Sequence, residues 1–230
     1  MAADCIAARL ATIRGTLPAG VGLVAVSKFH PAGAVAEAYA AGQRAFGESR
    51  VQELLAKQPL LPADIRWHFI GHLQTNKVRA LIGRTALIES VDSERLLALI
   101  DRESEARGVV TRVLMQAHVA AEETKTGFLP DELLDYFAAR RYESLRSTHI
   151  CGIMGIATNT DDRARIEADF AALAGLKARI TAMCPDLRGF DTLSMGMSDD
   201  YPLAVEHGAT LVRVGTAIFG ERDYGPAAAQ

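Results

Sequence analysis

Short apolar segments alternate with amphipathic patterns along almost the whole chain. The apolar segments are rich in branched and aromatic residues and carry few polar positions, which is typical of parallel strands that are buried on both faces. The predicted strands are residues 21–28, 44–49, 66–71, 86–91, 112–119, 149–156, 190–196 and 210–215.

Helical patterns lie between these strands. The predicted helices are residues 32–42, 49–57, 93–108 and 163–180, and Ile6, Leu10, Ile13 and Leu17 recur at helical spacing before the first strand. Two of the predicted helices begin with a serine, so we expect Ser49 and Ser93 to cap them. The helices predicted at 32–42 and 93–108 end with a glycine.

About eight strand–helix units predict an α/β fold, and eight parallel strands are the number that closes a barrel. We therefore expect residues 1–230 to form a single (β/α)8 TIM barrel with an additional N-terminal helix. A doubly wound open sheet is the alternative, but it usually has fewer strands and a glycine-rich first turn. The first turn here, SKFHPAG at 27–33, lacks the GxGxxG phosphate loop.

The composition argues against nucleic-acid-binding and membrane-spanning proteins. The chain has 230 residues, 49% hydrophobic and 23% charged, as in ordinary soluble globular proteins. A net charge of −3 and the lack of a basic stripe argue against a nucleic-acid partner. No window approaches the roughly 20 apolar residues of a membrane span, and no targeting signal is recognisable, so we expect a cytoplasmic protein.

In a TIM barrel, functional residues lie at the C-terminal ends of the strands and in the loops that follow. The residues at such positions that could take part in binding or catalysis are Lys28, Glu48, His72, His118, Met154, Ser194 and Arg213. We expect them to line one mouth of the barrel.

Strand parity directs Arg213 into the barrel. Val212 and Val214 suit the surrounding helices, so Leu211, Arg213 and Gly215 face the interior. A buried guanidinium needs an acceptor, which is either a bound ligand or a carboxylate from further round the barrel.

The turns after the last two strands predict an anion site. Gly215 allows close approach to the backbone, and the N–H groups that follow, beginning with Thr216, open a short helix. Ser194 and Gly196 come from the preceding turn, and phosphate sites in this fold are commonly built from these two loops. Ser198 is expected only to cap the next helix.

Closure of the barrel places Lys28 on the strand next to Arg213. A neighbouring positive charge and partial desolvation favour a neutral, nucleophilic amine. A reactive amine, a phosphate cradle and an arginine in one mouth together suggest pyridoxal 5′-phosphate (PLP).

These residues lie in motifs that resemble the pyridoxal phosphate homeostasis protein family, single-domain relatives of the alanine racemase N-terminal barrel (PLP fold type III). The motifs are AVSKFHP, FGESRVQE, WHFIGHLQTNK, ESVDS, EETKTGF, GIMGIA, LSMGMSDDYPLAVEHGATLVRVGTAIFG and the final Glu221-Arg222, and they cover nearly the whole chain.

The resemblance implies roles for individual residues. Lys28 would form the Schiff base with PLP, and Arg213 would meet the ring nitrogen. Ser194, Gly215 and Thr216 would hold the phosphate, with Gly196 beside them. Met154 would pack near the ring and Asn76 would lie close to the cofactor, while His72 and Glu48 are further candidates. The chain departs from the family pattern at Ser49, Arg50 and His118, whose roles stay unassigned.

Two other readings of the motifs are weaker. His68 and His72 as a metal pair would lie about 13 Å apart on one strand, too far for one zinc with ligands at about 2.1 Å, so no metal is expected. Cys151 as a nucleophile lies early in its strand, away from the mouth. None of the three cysteines has a metal-ligand spacing.

The remaining alternatives are a PLP carrier and a weak amino-acid racemase or other PLP-dependent enzyme. Racemisation needs acid–base groups on both faces of the substrate carbon, and in the similar racemases the second group is a tyrosine from an additional domain. We expect no such domain here, so we favour a monomeric protein that buffers PLP and delivers it to apo-enzymes.

Overall fold

In the computed structural model, which describes residues 5–122 and 126–221, eight parallel strands form a closed barrel. The strands are β1 (Gly22–Val26), β2 (Ala45–Glu48), β3 (Arg66–Phe69), β4 (Leu87–Val91), β5 (Thr111–Ala117), β6 (Thr148–Gly155), β7 (Thr192–Ser194) and β8 (Leu211–Val214). Each predicted strand overlaps one of them, with β5 and β6 beginning one residue before the predicted start, and the predicted TIM barrel is confirmed.

Helices surround the barrel. They are α1 (Ile6–Thr16), α2 (Ala32–Ala40), α3 (Val51–Lys57), α4 (Val78–Leu81), α5 (Glu94–Glu105), α6 (Pro130–Ala138), α7 (Arg163–Met183), α8 (Tyr201–Glu206) and α9 (Thr216–Phe219). The predicted N-terminal helix is α1. No helix in the described part of the chain is long and apolar enough to span a bilayer.

The capping predictions have opposite outcomes. Ser93 caps α5, because its hydroxyl accepts a hydrogen bond from the N–H of Leu96. Ser49 does not cap α3: that helix begins at Val51 and its N-cap residue is Arg50, with no side-chain cap. The backbone of Ser49 instead lies against Gly71, where an added Cβ would be 2.2 Å from the Ser49 carbonyl oxygen.

Two apolar clusters divide the core. The larger one lies between the barrel and its helices and includes Val212 and Val214. A smaller one inside the barrel contains Leu87, Leu114, Cys151 and Met154, with Leu211 packed against it. This separation confirms the parity predicted for the last strand and leaves Arg213 on the interior side.

Gly152 marks an irregular point of the barrel, where the pairing of β5 with β6 shifts register. Its φ is +150°, and an added Cβ would lie 1.8 Å from the carbonyl oxygen of Thr192 on β7. Only glycine fits both the conformation and the space.

We expect Gly152→Ala to lower the free energy of unfolding by about 3 kcal/mol, because the new methyl group collides with the main chain of β7. Gly175→Ala is the matched control, since nothing lies within 4 Å of the corresponding Cβ on α7. It should raise stability by about 0.5–1 kcal/mol. Urea unfolding measures both, and equal effects of the two substitutions would contradict the assignment.

Candidate functional site

A cavity of about 190 Å³ opens at the C-terminal mouth of the barrel, where β1 and β8 end. The residues that line it are Val26, Lys28, His30, Ile70, Ile156, Met197, Ser198, Asp199, Arg213, Gly215 and Thr216. The predicted meeting of Lys28 with Arg213, Gly215 and Thr216 is therefore present in the structure.

Parallel pairing of β1 with β8 produces this meeting. Val24 lies opposite Arg213 and Ala25 opposite Val214 in the ladder. Lys28 comes two residues after the end of β1, at the height of the turn that follows β8. Two segments from opposite ends of the chain thus form adjacent walls of one cavity.

The guanidinium of Arg213 is buried and held in place by three groups. One terminal nitrogen donates to the hydroxyl of Ser194 at 2.6 Å, and the other donates to the carbonyl oxygen of Gly155 at 2.9 Å. The nearer carboxylate oxygen of Glu89 lies 3.9 Å away. Within the protein, the acceptors for this guanidinium are thus the hydroxyl of Ser194 and the carbonyl oxygen of Gly155, and the carboxylate of Glu89, from further round the barrel, balances its charge.

Glu89 is fully buried on β4 and is the centre of a polar layer inside the barrel. One of its carboxylate oxygens accepts from Nδ1 of His68 at 2.6 Å, and the other accepts from Ser194 at 2.6 Å. Burial acts to raise the pKa of this carboxyl, but the hydrogen bond and charge of His68, the charge of Arg213 and the hydrogen bond of Ser194 outweigh it and lower the pKa. Glu89 is therefore ionised, and Nδ1 of His68 must carry the hydrogen.

Burial also lowers the pKa of Arg213, against the opposing charges of Glu89 and Asp200. A guanidinium nevertheless keeps its charge in proteins. The charge of Glu89 thus stabilises a permanent cation below the cavity, and Ser194 connects the two side chains.

The hydroxyl of Ser198 contacts the turn between β8 and α9, where the sequence predicts an anion cradle. The hydroxyl of Ser198 accepts from the N–H of Gly215 at 3.2 Å and from the N–H of Ala217 at 3.4 Å. The prediction that Ser198 merely caps the next helix is wrong, because α8 begins at Tyr201 and its N-cap residue is Asp200. Folding of the β7–α8 loop turns Ser198 toward the cavity instead.

The two glycines of the predicted cradle are closely packed. An added Cβ on Gly196, whose φ is +88°, would lie 2.6 Å from Cβ of Ala204. An added Cβ on Gly215 would lie 3.2 Å from the carbonyl oxygen of Val26. The second contact brings the cradle against the end of β1, next to Lys28.

Four predicted site residues, Ser194, Gly196, Met154 and Asn76, lie outside the cavity wall. Ser194 is buried below it and uses its hydroxyl to join Glu89 and Arg213, so the geometry gives no support for its contact with a phosphate. Met154 belongs to the apolar cluster inside the barrel. Asn76 lines a separate surface depression with residues of α5, including Arg95 and Arg102.

The two further candidates also face away from the cavity. Glu48 is fully buried on the helix side of β2, where its carboxylate contacts Ser27 and Lys57. His72 is exposed, and its Nδ1 bonds to Asp92 at 2.9 Å.

A second depression of about 290 Å³ adjoins the cavity and is lined by His72, Gln116 and His118. The two spaces share Ile70 and Ile156. His118 is partly buried, and its Nε2 donates to the carbonyl oxygen of Glu122 at 3.0 Å.

The structure also describes Arg50, another position that departs from the family pattern. Its guanidinium lies 4.8 Å above the ring of Phe29, directly after Lys28 in the chain. This cation–π contact links the start of α3 to the loop that carries the lysine. Parts of two quoted motifs, residues 123–125 and Arg222, lie outside the described residues.

The alternative metal and thiol sites gain no support. Within residues 5–122 and 126–221, no group of three metal-ligating side chains is found. Cys151 is buried inside the barrel, where it accepts a hydrogen bond from Arg112 at 3.2 Å.

Comparisons with known proteins agree on one family for this chain. A family model for the N-terminal domain of alanine racemase matches residues 2–223. The pyridoxal phosphate homeostasis protein of Pseudomonas aeruginosa is 42% identical over 224 residues, which are 96% of this chain and 94% of that protein. The protein of the same name from Haemophilus influenzae is 38% identical over 89% of this chain and 86% of its own length.

Solved structures agree with this relationship. PipY of Synechococcus elongatus with PLP bound matches with a TM-score of 0.86 and 42% identity, covering 94% of this chain and all of that one. Alanine racemase from Corynebacterium glutamicum matches with a TM-score of 0.76 at 16% identity, covering 99% of this chain and 63% of that one. The second likeness concerns the fold alone.

Glu89→Ala should lower the free energy of unfolding by about 4 kcal/mol, because it leaves the buried charge of Arg213 uncompensated. The matched control is Glu167→Ala, which removes the exposed partner of Arg163 on α7 and should cost less than about 1 kcal/mol. Urea unfolding of both variants tests the polar layer. A loss for Glu89→Ala no larger than that of the control would contradict its role.

The buried Glu48 gives a pH prediction. Burial raises its pKa to about 7 from an ordinary 4.5, against the charge and hydrogen bond of Lys57 and the hydrogen bond of Ser27. Between pH 4.5 and about pH 7, the folded protein therefore keeps a proton that the unfolded chain has already released. The stability from this group is fully present below pH 4.5 and is lost as the pH rises through 7.

Glu48→Gln removes this titration. The stability of the wild type relative to the variant should therefore fall by about 3 kcal/mol between pH 4.5 and pH 8. Glu206→Gln, at an exposed position on α8, should keep the wild-type dependence. Parallel stability–pH curves for the wild type and Glu48→Gln would refute the raised pKa.

Proposed function

Because the chain belongs to the pyridoxal phosphate homeostasis protein family, we propose that it binds PLP reversibly at Lys28 and buffers or delivers the cofactor. The observation that carries this proposal is the single cavity in which Lys28, Arg213 and the backbone of Gly215 and Thr216 meet. The PLP bound by the related PipY supports the choice of ligand.

The residues of the cavity fit the chemical groups of PLP. A phosphate would take the N–H groups of the β8–α9 turn and the hydroxyl of Ser198, which already lies within hydrogen-bonding distance of two of them. Ile70 and Ile156 offer apolar surface to a pyridine ring. The exposed Asp199 stands at the rim, where its charge would favour release of a phosphate rather than tight retention.

When bound, PLP would supply an aldehyde for a neutral primary amine, with a C=N bond replacing the C=O bond and one water molecule released. We assign this amine to Lys28. The side chain follows Val24 and Val26 on the interior face of β1, so its stem passes along apolar surface and its amine reaches the mouth.

Arg213 favours a carrier over a fast enzyme. A guanidinium placed to donate to the pyridine nitrogen of PLP would keep that nitrogen unprotonated, and the ring would then withdraw electrons weakly. Glu89 and Ser194 hold this guanidinium below the cavity. In the described part of the chain, no tyrosine lines the cavity to provide the second acid–base group of a racemase.

We further propose that PLP-dependent apo-enzymes receive the cofactor, and that the protein acts as a cytoplasmic monomer. In this proposal residues 1–230 form one PLP-binding domain. The supporting arguments are the composition, the family resemblance and the barrel that the strands close.

Titration of the protein with PLP should produce the absorbance band of a Schiff base, and Lys28→Ala should abolish it, because no amine then reaches the cavity. Lys177→Ala, on α7, is the matched control and should leave the band intact. Persistence of the band in Lys28→Ala would refute the assignment of the lysine.

Timed mixing of the loaded protein with an apo-enzyme tests delivery. We expect the band to decay as the apo-enzyme gains activity. The carrier role would be contradicted if the loaded protein itself turned over an amino acid at an ordinary enzymatic rate of about 10 s⁻¹.

A further inference from the structure

A cluster of three ionisable side chains, the buried Lys57 and Glu48 and the partly buried Glu53, lies on the helix side of the loop that carries Lys28. Lys57 on α3 is only 6% exposed, and its ammonium has three hydrogen-bond donors. These donate to the carboxylate of Glu48 at 2.7 Å, to the carboxylate of Glu53 at 2.7 Å and to the carbonyl oxygen of Ser27 at 2.8 Å. All three donors are therefore used.

The cluster binds the residues on both sides of Lys28. Ser27 is held twice, by its carbonyl oxygen to Lys57 and by its hydroxyl, which donates to Glu48 at 2.6 Å. Phe29 is held by its backbone N–H, which donates to Glu53 at 2.7 Å. Among the described residues, every hydrogen bond that these three charged side chains make outside the cluster ends on residue 27 or 29.

The backbone at Phe29 needs such support. Its φ is +66°, in the left-handed region that a residue with a Cβ adopts at a cost of roughly 1–2 kcal/mol. A strained conformation of this kind persists only where surrounding contacts determine it. The bond from Phe29 to Glu53 and the contact of Arg50 with the Phe29 ring are two such constraints.

The cluster is poorly explained by stability alone. Lys57 and Glu48 are buried and lose much of their hydration, and well-packed apolar side chains often stabilise a protein as well as or better than a buried ion pair. One carboxylate oxygen of Glu48 is buried without a hydrogen-bond partner among the described residues. The cluster therefore has a desolvation cost, and its hydrogen bonds fix the backbone of Ser27 and Phe29 on either side of Lys28.

We propose that Lys57, through Glu48 and Glu53, is a positioning residue for Lys28: it fixes the loop so that the amine lies where it can bond covalently to the bound cofactor. This inference rests on the proposed function and adds the device that orients its reactive group. Lys57 is on the opposite side of the loop from the cavity, so it acts only through residues 27 and 29.

Lys57→Met tests the proposal by removing the ammonium at similar side-chain length. The ratio of covalently attached to noncovalently held PLP should fall about tenfold, because a misplaced amine reacts less readily while the phosphate cradle still binds. The absorbance band gives the attached PLP, and release in alkali gives the total. Lys57→Arg should restore most of the ratio, since arginine can donate to the same acceptors.

The double variant K57M/E48Q addresses loss of folding, because it removes the buried carboxylate of Glu48 together with the ammonium that contacts it. It should fold and still show the reduced ratio, whereas Lys177→Met on α7 should show the wild-type ratio. A wild-type ratio in folded Lys57→Met or in K57M/E48Q, with or without a lower total of bound PLP, would overturn the positioning role. Absence of the Lys28-dependent band in the wild type would instead overturn the proposed function.

Discussion

The pairing of β1 with β8 is the contact on which the site depends. It closes the barrel and sets Val24 opposite Arg213, so that a lysine near the start of the chain and a backbone cradle near its end share one cavity. In an open sheet the two segments would be edge strands, and the lysine would lie apart from the arginine. The pairing that closes the barrel therefore also brings together the residues that line the cavity.

The interior of the barrel is organised in layers along its axis. Leu87, Leu114, Cys151 and Met154 form an apolar cluster, and a polar layer of His68, Glu89, Ser194 and Arg213 is connected by hydrogen bonds. The polar layer presents a fixed positive charge to the cavity. A buried cation of this kind is stable only because Glu89 compensates it, so a residue with no place in the cavity wall controls the electrostatics of the site.

The lysine loop is constrained from both sides. On the barrel side, Gly215 allows the cradle to approach Val26 closely. On the helix side, the cluster of Lys57, Glu48 and Glu53 holds the neighbours of Lys28. The sequence motif around Glu48 and Glu53, FGESRVQE, is therefore part of the device that supports the lysine, although neither carboxylate lines the cavity.

Much of this arrangement could be predicted from local patterns, and the exceptions have physical causes. Parity along β8 was sufficient to place Arg213 inside, and strand order was sufficient to bring Lys28 to it. Glu89 was missed because contacts across a barrel depend on the stagger of the strands, although a lone acid in the apolar strand ALIESV was an available signal. Ser198 was misassigned because the loop conformation decides where its hydroxyl points, and Glu48 lies one residue out of phase with the interior positions of β2.

The most direct test of the central claim is to reduce the PLP-loaded protein with borohydride, digest it and locate the pyridoxyl group by mass spectrometry. The chain has five lysines, at positions 28, 57, 77, 125 and 177. The account predicts one pyridoxyl group per chain, on Lys28. A label on any other lysine, or bound PLP that cannot be fixed to Lys28, would contradict it.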